Sequence, residues 1–109
     1  MIRSTVKATL RLKDGTELPV GTPVRIDFDR RAPSIALVYQ NVRPERPYRI
    51  RASSLHRYFK GFKKPPSVDR LMEMEMRRGW VPSVTGKRVE PDGIGPDGSP
   101  SWLLAPGLI

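Results

Sequence analysis

From Val6 to Lys13 the aliphatic residues Val6, Ala8, Leu10 and Leu12 alternate with Lys7, Thr9, Arg11 and Lys13. A period of two places the aliphatics on one face of a strand. Asp14-Gly15 follows, a dipeptide suited to the positive φ values of a tight hairpin, and Thr16–Val20 is predicted to return as its second strand. Val24, Ile26 and Phe28 then point one way while Arg25, Asp27 and Asp29 point the other. The segment DRRAP reads as a loop and Ile35–Gln40 as an apolar strand; beyond Pro44 and Pro47, Tyr48-Arg49-Ile50-Arg51 alternates again. Five short strands thus fit within the first 52 residues. Ala52–Tyr58 is predicted as a single helical turn, with Ser53 or Ser54 as its cap.

The period then changes. Ser67 is a suitable N-cap for a helix over Val68–Arg78, with Asp69 in the first turn, Arg77 and Arg78 in the last, and Gly79 as terminator. Val68, Leu71, Met72, Glu75 and Met76 fall on one helical stripe, which is predicted to face the strands, leaving Met74 off that face for a partner. Two Pro-Asp-Gly units, residues 91–93 and 96–98, predict a compact double bend. Trp102, Leu103, Leu104, Leu108 and Ile109 follow. Burial of each such side chain is worth roughly 1.5–3 kcal/mol, so this end must dock. Trp102 and Leu104 are expected against Val68, Leu71 and Met72, with Leu103 or the Leu108–Ile109 end left at a seam open to a second copy. Met74, Leu103, Leu108 and Ile109 are therefore the expected partner-contact residues.

Five strands, tight turns and a helical turn after the last strand resemble the small β-barrels of Src-homology type over roughly residues 4–59. The resemblance implies a mainly β (α+β) fold: a small five-stranded barrel, then one helix and an ordered, turn-rich extension. Residues 1–64 would form the barrel and 65–109 the helix and docked extension of one globule. Barrels of this type host nucleic-acid binders, peptide binders and enzymes alike, so the architecture selects no function. The string VEPDG, a spacer, PSWLL and GLI is similar to the ending of small uncharacterised phage and environmental proteins, which implies a mobile-element origin. Related endings carry Cys and His in the spacer. Gly95–Ser99 offers neither, so no metal knuckle is expected there.

Composition narrows the function classes. Cysteine is absent, which excludes disulfides and thiolate chemistry. Twelve Pro and nine Gly among 109 residues argue against long helices. No apolar run approaches the roughly 20 residues of a membrane-spanning helix, and no secretory signal is recognisable, so a cytoplasmic protein with no membrane partner is expected.

Charge changes the picture most. The chain carries +9 at neutral pH, yet residues 1–64 hold 15 basic and 5 acidic side chains while residues 65–109 hold 5 and 6. Within Arg43–Lys64, eight cations (Arg43, Arg46, Arg49, Arg51, Arg57, Lys60, Lys63, Lys64) face one acid, Glu45, with Tyr48, Tyr58, Phe59 and Phe62 interleaved. Cations attract phosphates and rings stack on bases, so this pairing of residue types suits a nucleic-acid groove. The bland alternative is a solvated basic face whose aromatics are core. The expected binding set is those eight cations with Arg25, Tyr58 and Phe62, acting on DNA or RNA. The other function considered is an assembly or inhibitor protein docking on an acidic protein surface. His56 with Ser53 or Ser54, Asp27 with Asp29, and the oxygens of Asp92, Asp97 and Ser99 are the residue sets from which a nucleophile, a Mg²⁺ site and a Ca²⁺ site would be built. Capping, local ion pairing and turn formation explain each better, so no catalytic residue, metal or cofactor is expected.

Overall fold

The computed structural model describes residues 2–40 and 43–105, with side chains described for 2–40 and 46–105. Its centre is an open four-stranded antiparallel sheet in the order β1-β4-β5-β6, formed by β1 (Ile2–Thr5), β4 (Pro23–Asp29), β5 (Ala32–Gln40) and β6 (Arg43–Arg51). A separate hairpin, β2 (Leu10–Arg11) with β3 (Glu17–Leu18), fills the β1–β4 connection. Ala52–Ser54 forms a 3₁₀ turn that runs into α1 (Leu55–Tyr58). Then follow α2 (Val68–Arg78) and a hairpin of β7 (Val81–Pro82) with β8 (Arg88–Val89). No helix among the described residues is long and apolar enough to cross a membrane.

Alternation explains the sheet. Val24, Ile26 and Phe28 of β4 and Ala36 and Val38 of β5 are buried, and Tyr48 and Ile50 of β6 pack against the same core. Register matches side for side: Ile26 stands opposite Ile2 on β1 and Val38 on β5, and Val38 opposite Tyr48 on β6. The predicted Asp14–Gly15 turn closes β2 on β3, with Leu10 opposite Leu18 and the Asp14 carboxylate accepting from the Thr16 N–H.

The closed five-stranded barrel is not what the sheet forms. The long first strand expected over Val6–Lys13 is divided: β1 ends at Thr5, Val6 makes an isolated bridge to Phe59, and only Leu10–Arg11 is extended further on. Val6 N–H donates to Thr22 O and Gly21 N–H to Val6 O, which ends the β1–β4 ladder and turns the chain away. The 3₁₀–α1 turn lies where predicted, but neither Ser53 nor Ser54 caps it through its side chain.

Helix α2 has the predicted bounds. Ser67 Oγ accepts from Arg70 N–H at 3.2 Å, and Gly79, at φ 69°, closes the helix in the left-handed conformation that glycine adopts without strain. Its inward side differs from expectation. Leu71 is buried and Met74 and Glu75 are half-buried, whereas Val68, Met72 and Met76 are exposed, Met76 to 86%. Met74, expected as a free contact, instead packs against the core. The helix lies at the rim, anchored by Leu71, so its broader apolar stripe is left outside.

The segment after α2 docks without much regular structure. Trp102, Leu103 and Ala105 join Val81, Val84 and Val89 in one hydrophobic cluster with the sheet residues. Of the helix residues expected beneath Trp102, Leu71 shares its buried cluster while Val68 and Met72 are exposed. With Ala105, Trp102 borders a small cavity shared with Ser34, Ile35, Arg51 and Ser53, at the end of β5 and β6. Leu103, expected at a seam, is fully buried, and Leu104 is the half-exposed member of the run. Leu108 and Ile109 lie outside the described residues.

Candidate nucleic-acid interface

The sheet face turned away from the core is set by register. Residues directly opposite in an antiparallel sheet share a face, so Arg3, Arg25 and Tyr39 form one row across β1, β4 and β5. Asp27, Leu37 and Arg49 form a second row across β4, β5 and β6, and Ile35 with Arg51 a third. Arg49 and Arg51 are exposed on β6, with Tyr48 and Ile50 turned to the core, as their alternation predicts. Arg49 reaches Asp29 at 3.2 Å. Asp29 also accepts from the Arg31 N–H, and Asp27 accepts from the Phe28 N–H, so both carboxylates have local partners.

At the β1 end of this face lies an open groove of about 800 Å³, lined by Arg3, Ser4, Thr5, Arg25, Lys60 and Gly61 among others, with no carboxylate among the described residues in its wall. Local structure places Lys60 there. After the Val6–Phe59 bridge, Lys60 N–H donates to Thr5 O at 3.1 Å and Ser4 Oγ donates to Lys60 O at 2.6 Å. Gly61, at φ 92°, then reverses the chain so that Phe62 enters the core and Lys60 stays out. Arg25 is half-buried, and its Nε–H is buried with no hydrogen-bond partner.

The structure therefore distributes the predicted binding set. Arg25 and Lys60 meet in the groove, and Arg49 and Arg51 share the sheet face beside it. Arg46 and Arg57 are exposed, as are Lys63 and Lys64, which belong to the connection toward the carboxyl-terminal segment, where Lys63 N–H donates to Val84 O. Two expected aromatics are not free to stack on bases: Phe62 is buried, and Tyr58 is half-buried against the core. The side chain of Arg43 lies outside the described residues. Arg3 and Tyr39 were missed by the sequence reading. The run IRST shows no alternation, and Tyr39 reads as part of an apolar strand, so only the register reveals that both flank Arg25.

The remaining polar groups weighed for chemistry are placed otherwise. His56 Nδ1 is buried and makes no hydrogen bond, to Ser53, Ser54 or any other group. Among the described residues, no group of three His, Cys, Asp or Glu side chains is arranged to hold a metal ion. Asp97 is engaged inside the tail: Thr85 Oγ1 donates to one carboxylate oxygen at 2.5 Å, while Ser99 Oγ at 2.6 Å and Ser99 N–H at 3.0 Å donate to the other. Burial acts to raise the Asp97 carboxyl, but these hydrogen bonds from Ser99 and Thr85 outweigh it and hold the group below its ordinary value. Trp80 is flanked by Arg78 and Arg88, whose guanidinium carbons lie 5.4 and 4.6 Å from the ring centroid. Compared with known protein families, with curated proteins and with solved structures, the chain matches none of them.

Proposed function

We propose that this is a non-enzymatic nucleic-acid-binding protein that holds phosphate backbone on its basic sheet face and in the adjoining groove. One observation carries the reading: of the described cations in the Arg43–Lys64 stretch, Arg49 alone is engaged by a carboxylate among the described residues. The others are solvated and available to an external polyanion, and the +9 net charge draws such a partner from a distance. In the same reading the sheet is a relative of the small Src-homology-type barrels, with the short stretch around Phe59 standing in for the fifth strand. A mobile-element origin and a cytoplasmic setting belong to this proposal as well.

Filter binding against single-stranded, duplex and structured RNA or DNA, repeated over a salt series, tests it. Affinity should be micromolar or better near about 100 mM salt, and contact with about five phosphates gives a log-log slope near −4 to −5 on duplex. A flat salt response, or no binding at low salt, rejects the reading. The alternative, an assembly or inhibitor protein that docks on an acidic protein surface, would then take its place. It draws on the exposed Val68, Met72 and Met76 side chains of α2.

A further inference from the structure

We infer that the groove at the β1 edge is the seat for a single nucleic-acid strand, with a backbone phosphate held between Arg3, Arg25 and Lys60 and the neighbouring base stacked on Tyr39. This deepens the nucleic-acid reading above and rests on it. Arg3 and Arg25 stand directly opposite each other on β1 and β4. Like charges in that position repel, and no carboxylate among the described residues lines the groove to relieve them. An anion between the two guanidinium groups turns this repulsion into attraction. Arg25 adds a second sign of a missing partner, because its half-buried guanidinium pairs with no carboxylate among the described residues. Its Nε–H is closed off from solvent, so the terminal guanidinium nitrogens are the donors that meet a phosphate oxygen in the groove.

The third cation is already positioned. Hydrogen bonds between Lys60 and both Ser4 and Thr5 fix the Lys60 backbone against β1, so this exposed residue lines the groove on a rigid support. Tyr39 stands opposite Arg25 on the other side, in the same row and on the same face. Its ring is half-buried. A base inside a duplex has both faces covered by its neighbours, whereas an unpaired base has a face free for an aromatic side chain. Phosphate clamp and ring on adjacent strands of one sheet therefore favour an unpaired strand over a duplex.

Fluorescence anisotropy with the full chain tests the assignment, using labelled ten-nucleotide oligothymidylate and oligouridylate and a ten-base-pair duplex at about 100 mM salt. The single strands should bind about tenfold or more tightly than the duplex. Tyr39→Leu should weaken single-strand binding by about tenfold while Tyr39→Phe, which keeps the ring, stays within about twofold of wild type. Arg25→Gln and, at the more exposed position, Arg3→Gln should each weaken it by about fivefold or more and lower the salt slope by about one. Thermal melts confirm that each variant is folded. Equal affinity for duplex and single strand, or Tyr39→Leu or Arg3→Gln binding like wild type, overturns the groove assignment and leaves the wider nucleic-acid reading standing. Absence of binding to every probe overturns both.

Discussion

The outer face of the sheet and the segment from Val81 to Ala105 use polar residues in opposite ways. On the sheet, Arg3 and Arg51 are exposed and, like the half-buried Arg25, unpaired with any carboxylate among the described residues. In the later segment Asp97, Thr85 and three serines are bonded to one another or to nearby backbone. Asp97 binds Thr85 and Ser99, Ser99 Oγ lies 2.8 Å from Ser83 Oγ, and Ser101 Oγ accepts from the Leu104 N–H. Backbone groups do the same: Val84 N–H donates to Pro100 O and Trp102 N–H to Pro82 O. The sheet face has regular structure and cations without carboxylate partners, and the tail has irregular structure around a serine, threonine and aspartate network closed on itself, with the Trp102 Nε1–H as its buried exception. Binding chemistry is to be sought where partners are missing, and the density of polar residues is a poor guide to it.

The largest effect that could break this comparison comes from the tail's core. Trp102→Ala empties a site that is only 2% exposed, and should cost about 3–5 kcal/mol, lowering the melting temperature by more than about 12 °C. Nucleic-acid affinity measured in the cold, where the variant remains folded, should stay within about twofold. If affinity falls along with stability, the two regions are not separable.

Next comes the hydrogen-bond network. Asp97→Ala removes the acceptor of three bonds, and should cost about 2–3 kcal/mol in a denaturant titration at neutral pH. The pH dependence follows from the lowered Asp97 value: the carboxylate's contribution is fully present above its unfolded value of about 3.9 and disappears as pH falls through the lower folded value. The gap between wild type and Asp97→Asn should therefore narrow on acidification from pH 7 to pH 3. A gap that is constant with pH would show that the carboxylate's charge has no part in holding the tail.

The sheet face is probed by charge reversal. Arg49→Glu with Arg51→Glu should weaken nucleic-acid binding by at least about tenfold, whereas Arg70→Glu with Arg77→Glu on α2, an equal change in net charge, should cost about threefold or less. Stability should move little in either case, because Arg49 and both members of the Arg77–Glu73 pair are exposed. Equal losses of binding would mean that net charge alone matters. The smallest expected effect is at Met76, whose side chain is 86% exposed: Met76→Ser should change unfolding free energy by less than about 0.5 kcal/mol. A larger change, or one that depends on protein concentration, would show that this face of α2 is covered in solution.

How far the sequence could be read follows the same division. Alternation located β4 and the sides of Arg49 and Arg51 at the end of β6, and the apolar run Ile35–Gln40 located β5; residues 32–34 and 43–47, read as loop and connection around their prolines, instead extend those two strands. It missed β1, whose core-side positions are Ile2 and Ser4, and Ser4 is turned to use by its bond to Lys60 O. It misjudged the rotation of α2, because a helix held by Leu71 at the rim obeys no full apolar stripe. Pro-Asp-Gly announced turns, but nothing local shows that Asp97 would be satisfied by Thr85 from the preceding hairpin. The groove was half legible. Arg25 and Lys60 stand out as cations, and only the strand register sets Arg3 and Tyr39 beside them.

The bridge between Val6 and Phe59 has a kinetic meaning. Lys7 N–H donates to Tyr58 O and Lys60 N–H to Thr5 O, so the chain at the end of β1 is paired with residues far along the sequence. During synthesis these early residues leave the ribosome long before Phe59 exists, and bringing the two together requires closing a large loop. Sheet completion is thus a late event, and folding should be slow for a chain this small. Until Phe59 arrives, β1 presents unpaired backbone groups to any neighbouring chain, which makes a nascent or interrupted copy of this protein prone to edge-to-edge aggregation.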